Sequence, residues 1–503
     1  MTGSSRIHAL SAALRQRLDA LGPHLGCTAE ELTLLRDGAL GAADLLARIA
    51  ERLRRDEAPD RSYWLLLVAL TGSFPTDSVL KQVRRSVRLA SENAWIDLLV
   101  AASGAGDMGH SLDRTVRVVS GDVVVDVDFC AKYTHNTGIQ RVVRQTMARW
   151  VRDHEPTLVA WADHDVAFRE LDPRERSRVV DWGAHSKEHV DDTGSLDLIV
   201  PVDCDVVLPE VARAPLCDRL AALAEYSGNR VALIGYDTIP IGSADVVPPE
   251  ETERFTRYLS IVKHAHVVAG ISDTASEEFR GFVRAIRGQG LEGPTVVSVP
   301  LPIAAPDRWK ASGPISHDDE PLVLVVGSQE PRKNQLAVLH AAELVWQRGV
   351  AFRLRLIGGG SAWFTRLLDR RVRRLRSRGR HVEVLRGVDD EVLADSYHRA
   401  ACTVFPSLHE GYGLPVGESL ALGVPAITSD YGATAEVARG GGCILVDPRD
   451  DHSIADAIEA VLTDADLSDA LRRQARRDDY RSWDDYAATL WDAVSSVSER
   501  EAA

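Results

Sequence analysis

The chain has 503 residues, 45% of them hydrophobic, with 74 acidic against 59 basic side chains and a formal charge of −15. The apolar fraction excludes intrinsic disorder, the length predicts about two to four domains, and the negative balance excludes a general nucleic-acid binder. The six cysteines (Cys27, Cys130, Cys204, Cys217, Cys402 and Cys443) lack zinc-type spacing, which in so large a chain predicts reduced thiols and a cytoplasmic setting.

At the amino terminus Arg15 and Arg17 interrupt the apolar positions, so no signal peptide is expected. No apolar run reaches the roughly 20 residues that a membrane helix needs. Leu10, Leu14, Leu18 and Leu21, then Leu45, Leu46 and Ile49, recur at three-to-four spacing and predict a helical extension over residues 1–112. It is read as a homo-oligomerisation or docking element, with an extension that only covers a neighbouring surface as the alternative. Gly104, Gly106 and Gly109 mark a linker.

From Val116 onward β-branched runs (VVVDV at 123–127, LVAW at 158–161, LIV at 198–200, VVL at 206–208, VALIGY at 231–236, VVAGIS at 267–272) alternate with helical segments such as Gln140 to Trp150. A polar stretch from Pro302 to Pro321 interrupts the series, which restarts at VLVVG (323–327) and runs to CILVD (443–447). Buried strands alternating with helices predict two doubly wound parallel α/β units, residues 113–310 and 311–480, facing each other across a cleft at their strand ends. Between Arg366 and Arg380 stand eight arginines; a phosphate or membrane-headgroup patch is one reading, a solvated helix face the commoner one. The chain has only six lysines, so a lysine in a candidate site stands out.

The most informative stretch is FPSLHEGYGLPVGESLALGVPAITSD, residues 405–430. A strand runs into a Gly-rich turn, and Pro415 opens a helix where a missing N–H costs nothing. Glu410 stands on the turn and Glu418 in the helix. The free helix amides make an anion site, Gly411 and Gly413 let backbone approach a ligand, and the flanking carboxylates suit the hydroxyls of a sugar and a ribose.

Glu410 and Glu418, with seven residues between them in PSLHEGYGLPVGE, resemble the E-x7-E motif of the retaining glycosyltransferases of family 4, which have the GT-B fold. VGSQEPRKN (326–334), YDTIP (236–240), GISDTASEEF (270–279), TGIQRVVR (137–144) and SDYGATAEV (429–437) are similar to family landmarks in the same order, and the likeness covers residues 120 to 490. It implies an acceptor-side unit followed by a nucleotide-sugar unit, with a helix in 481–503 packing back on the first. It further implies that Glu410 contacts the donor sugar, Glu418 the ribose, and Arg332 and Lys333 the diphosphate, with Asp237 facing the cleft beside them. Ser328, Gly358, Gly359, Arg386 and Gly387 would surround the nucleotide together with Gly411, Tyr412, Gly413 and Leu414 of the turn. Thr137, Gly138, Gln140 and Arg141 would face phosphate or acceptor. Many family members have glycine at the position of Gln140, histidine at that of Tyr236 and arginine at that of Ser328.

The implied partners are a nucleotide-sugar donor and an unidentified acceptor, with peripheral membrane contact open and no nucleic acid. The D-x-D triplets Asp126-Val127-Asp128, Asp163-His164-Asp165 and Asp203-Cys204-Asp205 invite a metal reading. Chance triplets are expected among 74 acids, so no metal and no cofactor is assigned. The EPRKN variant is similar to mannosyl- and rhamnosyltransferases of bacterial polysaccharide assembly, which implies a GDP-mannose-like donor. The alternatives are a sugar-phosphate synthase or phosphorylase on the same fold, and a catalytically silent partner subunit.

Overall fold

The computed structural model describes residues 3–55, 58–89, 96, 98–100, 102, 111–182, 197–306, 309, 320–477 and 479–495. The β-branched runs build two sheets. The first contains β1 (Val116–Ser120), β2 (Val123–Asp126), β3 (Thr157–Trp161), β4 (Phe168–Glu170), β5 (Leu198–Val202), β6 (Asp205–Leu208), β7 (Arg230–Gly235), β8 (Val267–Gly270) and β9 (Thr295–Ser298). Their spatial order is β1-β5-β4-β3-β2-β6-β7-β8-β9. The wholly parallel sheet expected from sequence is broken at β4, which pairs antiparallel with both β3 and β5. This three-residue strand follows a turn in which His164 and Asp165 adopt positive φ, so the chain doubles back after β3.

The second sheet contains β10 (Leu322–Val326), β11 (Arg353–Ile357), β12 (Val382–Leu385), β13 (Ala400–Phe405), β14 (Ala426–Ser429) and β15 (Cys443–Val446). All its pairings are parallel, in the order β12-β11-β10-β13-β14-β15. Counted within the unit this is 3-2-1-4-5-6, the doubly wound order that places ligands beyond the carboxyl ends of the central strands. The predicted Pro302 to Pro321 interruption lies partly outside the described residues.

Five amino-terminal helices (Gly3–Leu21, Ala29–Arg36, Ala42–Arg55, Asp60–Thr71 and Asp77–Leu89) share one core with the first sheet. Trp64 and Phe74 from the helical part meet Trp161 and Phe168 of β3 and β4, with ring centroids 4.9 to 5.8 Å apart. The Gln16 amide pairs with both backbone groups of Val116 on the outer strand, at 2.7 and 2.9 Å, closing part of an edge that would otherwise be open. Arg17, 1% exposed, donates to the carbonyls of Ala69, Leu112 and Arg114 at 2.6 to 2.8 Å. The helical extension is thus built into the first body as its cover. At the other end of the chain, helix Trp483–Val494 lies against helix Gly138–Asp153, where Trp150 donates to Ala487 O at 2.9 Å.

Candidate active site

The carboxyl ends of β10, β11 and β13 face those of β2 and β7 across a cavity of about 490 Å³. Asn334 shapes one wall. Its left-handed conformation (φ 59°) ends the 3-10 turn Pro331–Lys333, and its amide ties that turn to Pro406 O and Pro448 O at 3.2 and 2.7 Å. The turn aims Arg332 and Lys333 at Glu410, whose carboxylate oxygens lie 2.9 and 2.6 Å from them. Burial disfavours charge on Glu410, yet the two cations hold its carboxyl below the usual range. Burial lowers the affinity of Lys333 for its proton, against the pull of Glu410. Asp237, after β7, is pushed up to about 6 by burial, with Arg332 opposing and Glu278 and Glu410 reinforcing the shift.

Glu418 lies in helix Leu414–Ala421, 4% exposed. One carboxylate oxygen accepts from Arg141 of the first body and the other from Tyr397 Oη at 2.7 Å. Arg141 also stacks over Trp309, 5.4 Å from the ring centroid. Thr137, Gly138, Arg141, Asp237, Ser328, Lys333, Gly358, Glu410, Gly411, Tyr412, Gly413, Leu414 and Glu418 all line the cavity. Arg332 reaches it through Glu410.

Gln140 was expected to face phosphate or acceptor. Its side-chain oxygen instead folds back onto Thr137 N at 3.2 Å, a capping box that starts helix Gly138–Asp153. Gly359, Arg386 and Gly387 also fall outside the lining. Gly359 O accepts from Gln329 N, and Arg386 is held by Gln329 and Asp369 at 2.8 and 2.6 Å. Gly358 is required by crowding: φ is +148°, and a Cβ there would stand 2.0 Å from Gly327 O. Gly411 serves the join between bodies, because a Cβ would lie 2.2 Å from Tyr236 O.

Other cross-body contacts had no signal in the sequence, since their partners stand more than a hundred residues apart. His409 lies 2.6 Å from Glu278 and 2.8 Å from Ser243 Oγ. Glu436 accepts from the amides of Asp273 and Thr274 at the start of helix Asp273–Ile286, at 2.9 and 2.6 Å. Tyr412 Oη donates to Leu301 O at 2.8 Å.

Five of the six carboxylates of the D-x-D triplets have protein partners. Asp126 accepts from Trp161 Nε1 at 2.9 Å, while Asp128 pairs with Lys132 at 2.6 Å and Arg213 at 3.1 Å. Asp165 pairs with Arg213 at 2.7 Å, Asp203 with Arg61 at 2.7 Å, and Asp205 with Arg230 at 3.4 Å. All six cysteines are free thiols, and no helix among the described residues is long and apolar enough to cross a membrane.

With two Rossmann-like bodies and a cavity between their strand ends, the fold is GT-B, preceded by a helical region. The crystal structure of an α,α-trehalose 6-phosphate synthase from Burkholderia multivorans shares it, with a TM-score of 0.52 at 15% identity over 76% of this chain and 100% of that one. Residues 307–478 match the family described as glycosyl transferases group 1 and form such a domain. The chain is 24% identical to the serotype-specific mannosyltransferase WbdA of Escherichia coli over 338 residues, 63% of this chain and 40% of that protein. It is 33% identical to O-antigen chain mannosyltransferase B of Escherichia coli over 155 residues, 30% of this chain and 38% of that protein. The chain therefore spans about two fifths of the length of these relatives.

Proposed function

We propose that the protein is a retaining glycosyltransferase that moves a hexosyl unit, mannose first, from a nucleoside diphosphate to an acceptor hydroxyl. The observation that carries this reading is the meeting of Glu410, Lys333, Glu418 and Asp237, from separate loops and a helix of two bodies, around one cavity. The group 1 domain supports it, and the names of the mannosyltransferase relatives support the donor sugar.

Arg332 and Lys333 offer the diphosphate a fixed pair of cations, a forked one and a compact one. Sharing those cations with a phosphate loosens their hold on Glu410, whose oxygens then accept the sugar's hydroxyls. Glu418 takes the ribose hydroxyls in place of Arg141. As the bond from the anomeric carbon to the phosphate oxygen breaks, the acceptor oxygen bonds to the same face, and its proton passes to the departing diphosphate. The chain's part is to fix these groups and to stabilise the charge that grows on the leaving oxygens. The domain roles carry over: residues 113–310 hold the acceptor and 311–480 the nucleotide, with no metal given a task.

A thermal-shift screen of GDP, UDP, ADP, dTDP and CMP identifies the base, because a ligand at 100 times Kd adds about 2.7 kcal/mol to the folded state. With that donor saturating, Glu410→Gln lowers kcat about 100-fold or more, whereas Glu418→Ala chiefly raises the donor KM. Wild-type turnover in Glu410→Gln would overturn the assignment.

A further inference from the structure

Helix Ala362–Arg376 leaves β11 four residues beyond the cavity-lining Gly358 and carries six arginines against a single acid, Asp369. Phe364, Leu368, Val372 and Leu375 are its buried side. At 100° per residue this sets the centre of the outward side between Arg366 and Arg370, with Trp363 three residues before Arg366 and Arg374 four after Arg370 on the same stripe. Trp363 is 53% exposed, in contrast to the buried Trp64, Trp150 and Trp161. Arg366, Arg370, Arg371, Arg373 and Arg374 are exposed and have no acidic partner among the described residues. Asp369 is already bound to Arg386 at 2.6 Å. A chain of formal charge −15 thus gathers uncompensated arginine on one helix face with an exposed indole at its amino-terminal end.

We propose that this face docks the protein on an anionic phospholipid surface. Clustered arginines on an amphipathic helix draw acidic headgroups, and an indole settles at headgroup level, with its ring toward the acyl chains and its N–H toward water. Charge complementarity alone would also admit a nucleic acid. A strand, however, is bound in a groove with successive stacking platforms, and here one aromatic stands on a convex stripe about 17 Å long, from Trp363 to Arg374 at about 1.5 Å per residue. Docking stands on this face and does not depend on the proposed transfer. It would bring the mouth of the cleft toward the bilayer, because the tryptophan end of the stripe stands five residues from the cavity-lining Gly358.

Co-sedimentation of the full chain with vesicles of phosphatidylcholine, alone or mixed with phosphatidylglycerol, tests the docking. Wild type and the control Arg254→Glu, an exposed position on the first body, should pellet with the mixed vesicles, fail to pellet with the neutral ones, and be released by high salt. Arg370→Glu/Arg374→Glu should weaken binding at least about tenfold and Trp363→Ala about fivefold, with unchanged circular dichroism and melting temperature. Wild type staying in the supernatant with mixed vesicles overturns the proposal, as does undiminished binding by the double variant. Retention on single-stranded DNA without vesicle binding overturns it in favour of a nucleic-acid partner.

Discussion

A carboxyl group that is buried and has no cation at its oxygens holds its proton to higher pH, and Glu210 of the first body illustrates this. Burial pushes it up to about 7, while two amides, Phe129 N and Cys130 N, donate to it at 2.7 and 2.8 Å. Its neighbour Asp126 is raised by the same burial and by the charges of Asp128 and Glu210. Glu410 is equally enclosed but lies against two cations, and its carboxyl moves the other way. Between the unfolded value near 4.5 and the folded value of about 7, native Glu210 binds more proton than the unfolded chain. Its effect is therefore to make stability fall as pH rises through that window. Glu210→Gln cannot ionise, so its melting temperature should gain on wild type from pH 4.5 to 7 and hold that gain above. The gain corresponds to about 3 kcal/mol, and a difference that shrinks with rising pH would contradict the assignment. The principal charges of the cavity were legible in the sequence, because Lys333 is rare in composition and Glu410 and Glu418 keep a recognisable spacing. Tyr397 on Glu418 and Glu278 on His409 were not, because only the folded chain brings them near.

Among the elements, the shortest were the hardest to foresee. β4 has three residues and β9 four, half exposed, so neither gives a run long enough to show a period. The start of helix Gly138–Asp153 was legible in another sense: Thr137 followed three residues later by Gln140 is a capping-box pattern, although the family likeness gives the turn to phosphate or acceptor. Arg17 reads in the sequence as a break in an apolar face. In the fold it closes the end of helix Asp60–Thr71 and the approach to β1, because the carbonyls there lack backbone donors. Arg17→Met should cost about 3 kcal/mol or more by leaving several buried carbonyls unpaired. Denaturant unfolding of the full chain measures it, and a change under about 1 kcal/mol would show that water replaces the guanidinium.

At the scale of the molecule, the two bodies meet through contacts that bring backbone close to backbone. Gly411 passes over Tyr236 O with no room for a side chain, and Ser272 Oγ donates to Gly411 O at 2.7 Å. Gly411→Ala should therefore push the bodies apart while leaving each core intact. Small-angle scattering should report a larger radius of gyration, and transfer activity should fall at least about 100-fold, the scale set by a misplacement of about 1 Å. An unchanged radius with full activity would show that the loop yields instead. The two-body architecture followed from the alternation of strands and helices. The merging of the first hundred residues with the first sheet did not, because helical periodicity says which residues are buried and nothing of what they are buried against.

If Glu418 takes the ribose as proposed, its pairing with Arg141 sets a rival from within the protein against the nucleotide. On the proposed function, donor binding is an exchange: hydroxyls of the ribose displace a guanidinium from a carboxylate that was never vacant. The measured affinity for donor then understates the contacts made, by the free energy of the pair that is broken. Arg141 leaves that exchange as an unneutralised cation inside the cavity at the moment a diphosphate enters it. On that reading the protein holds one positive charge in reserve and releases it only to the ligand that can use it.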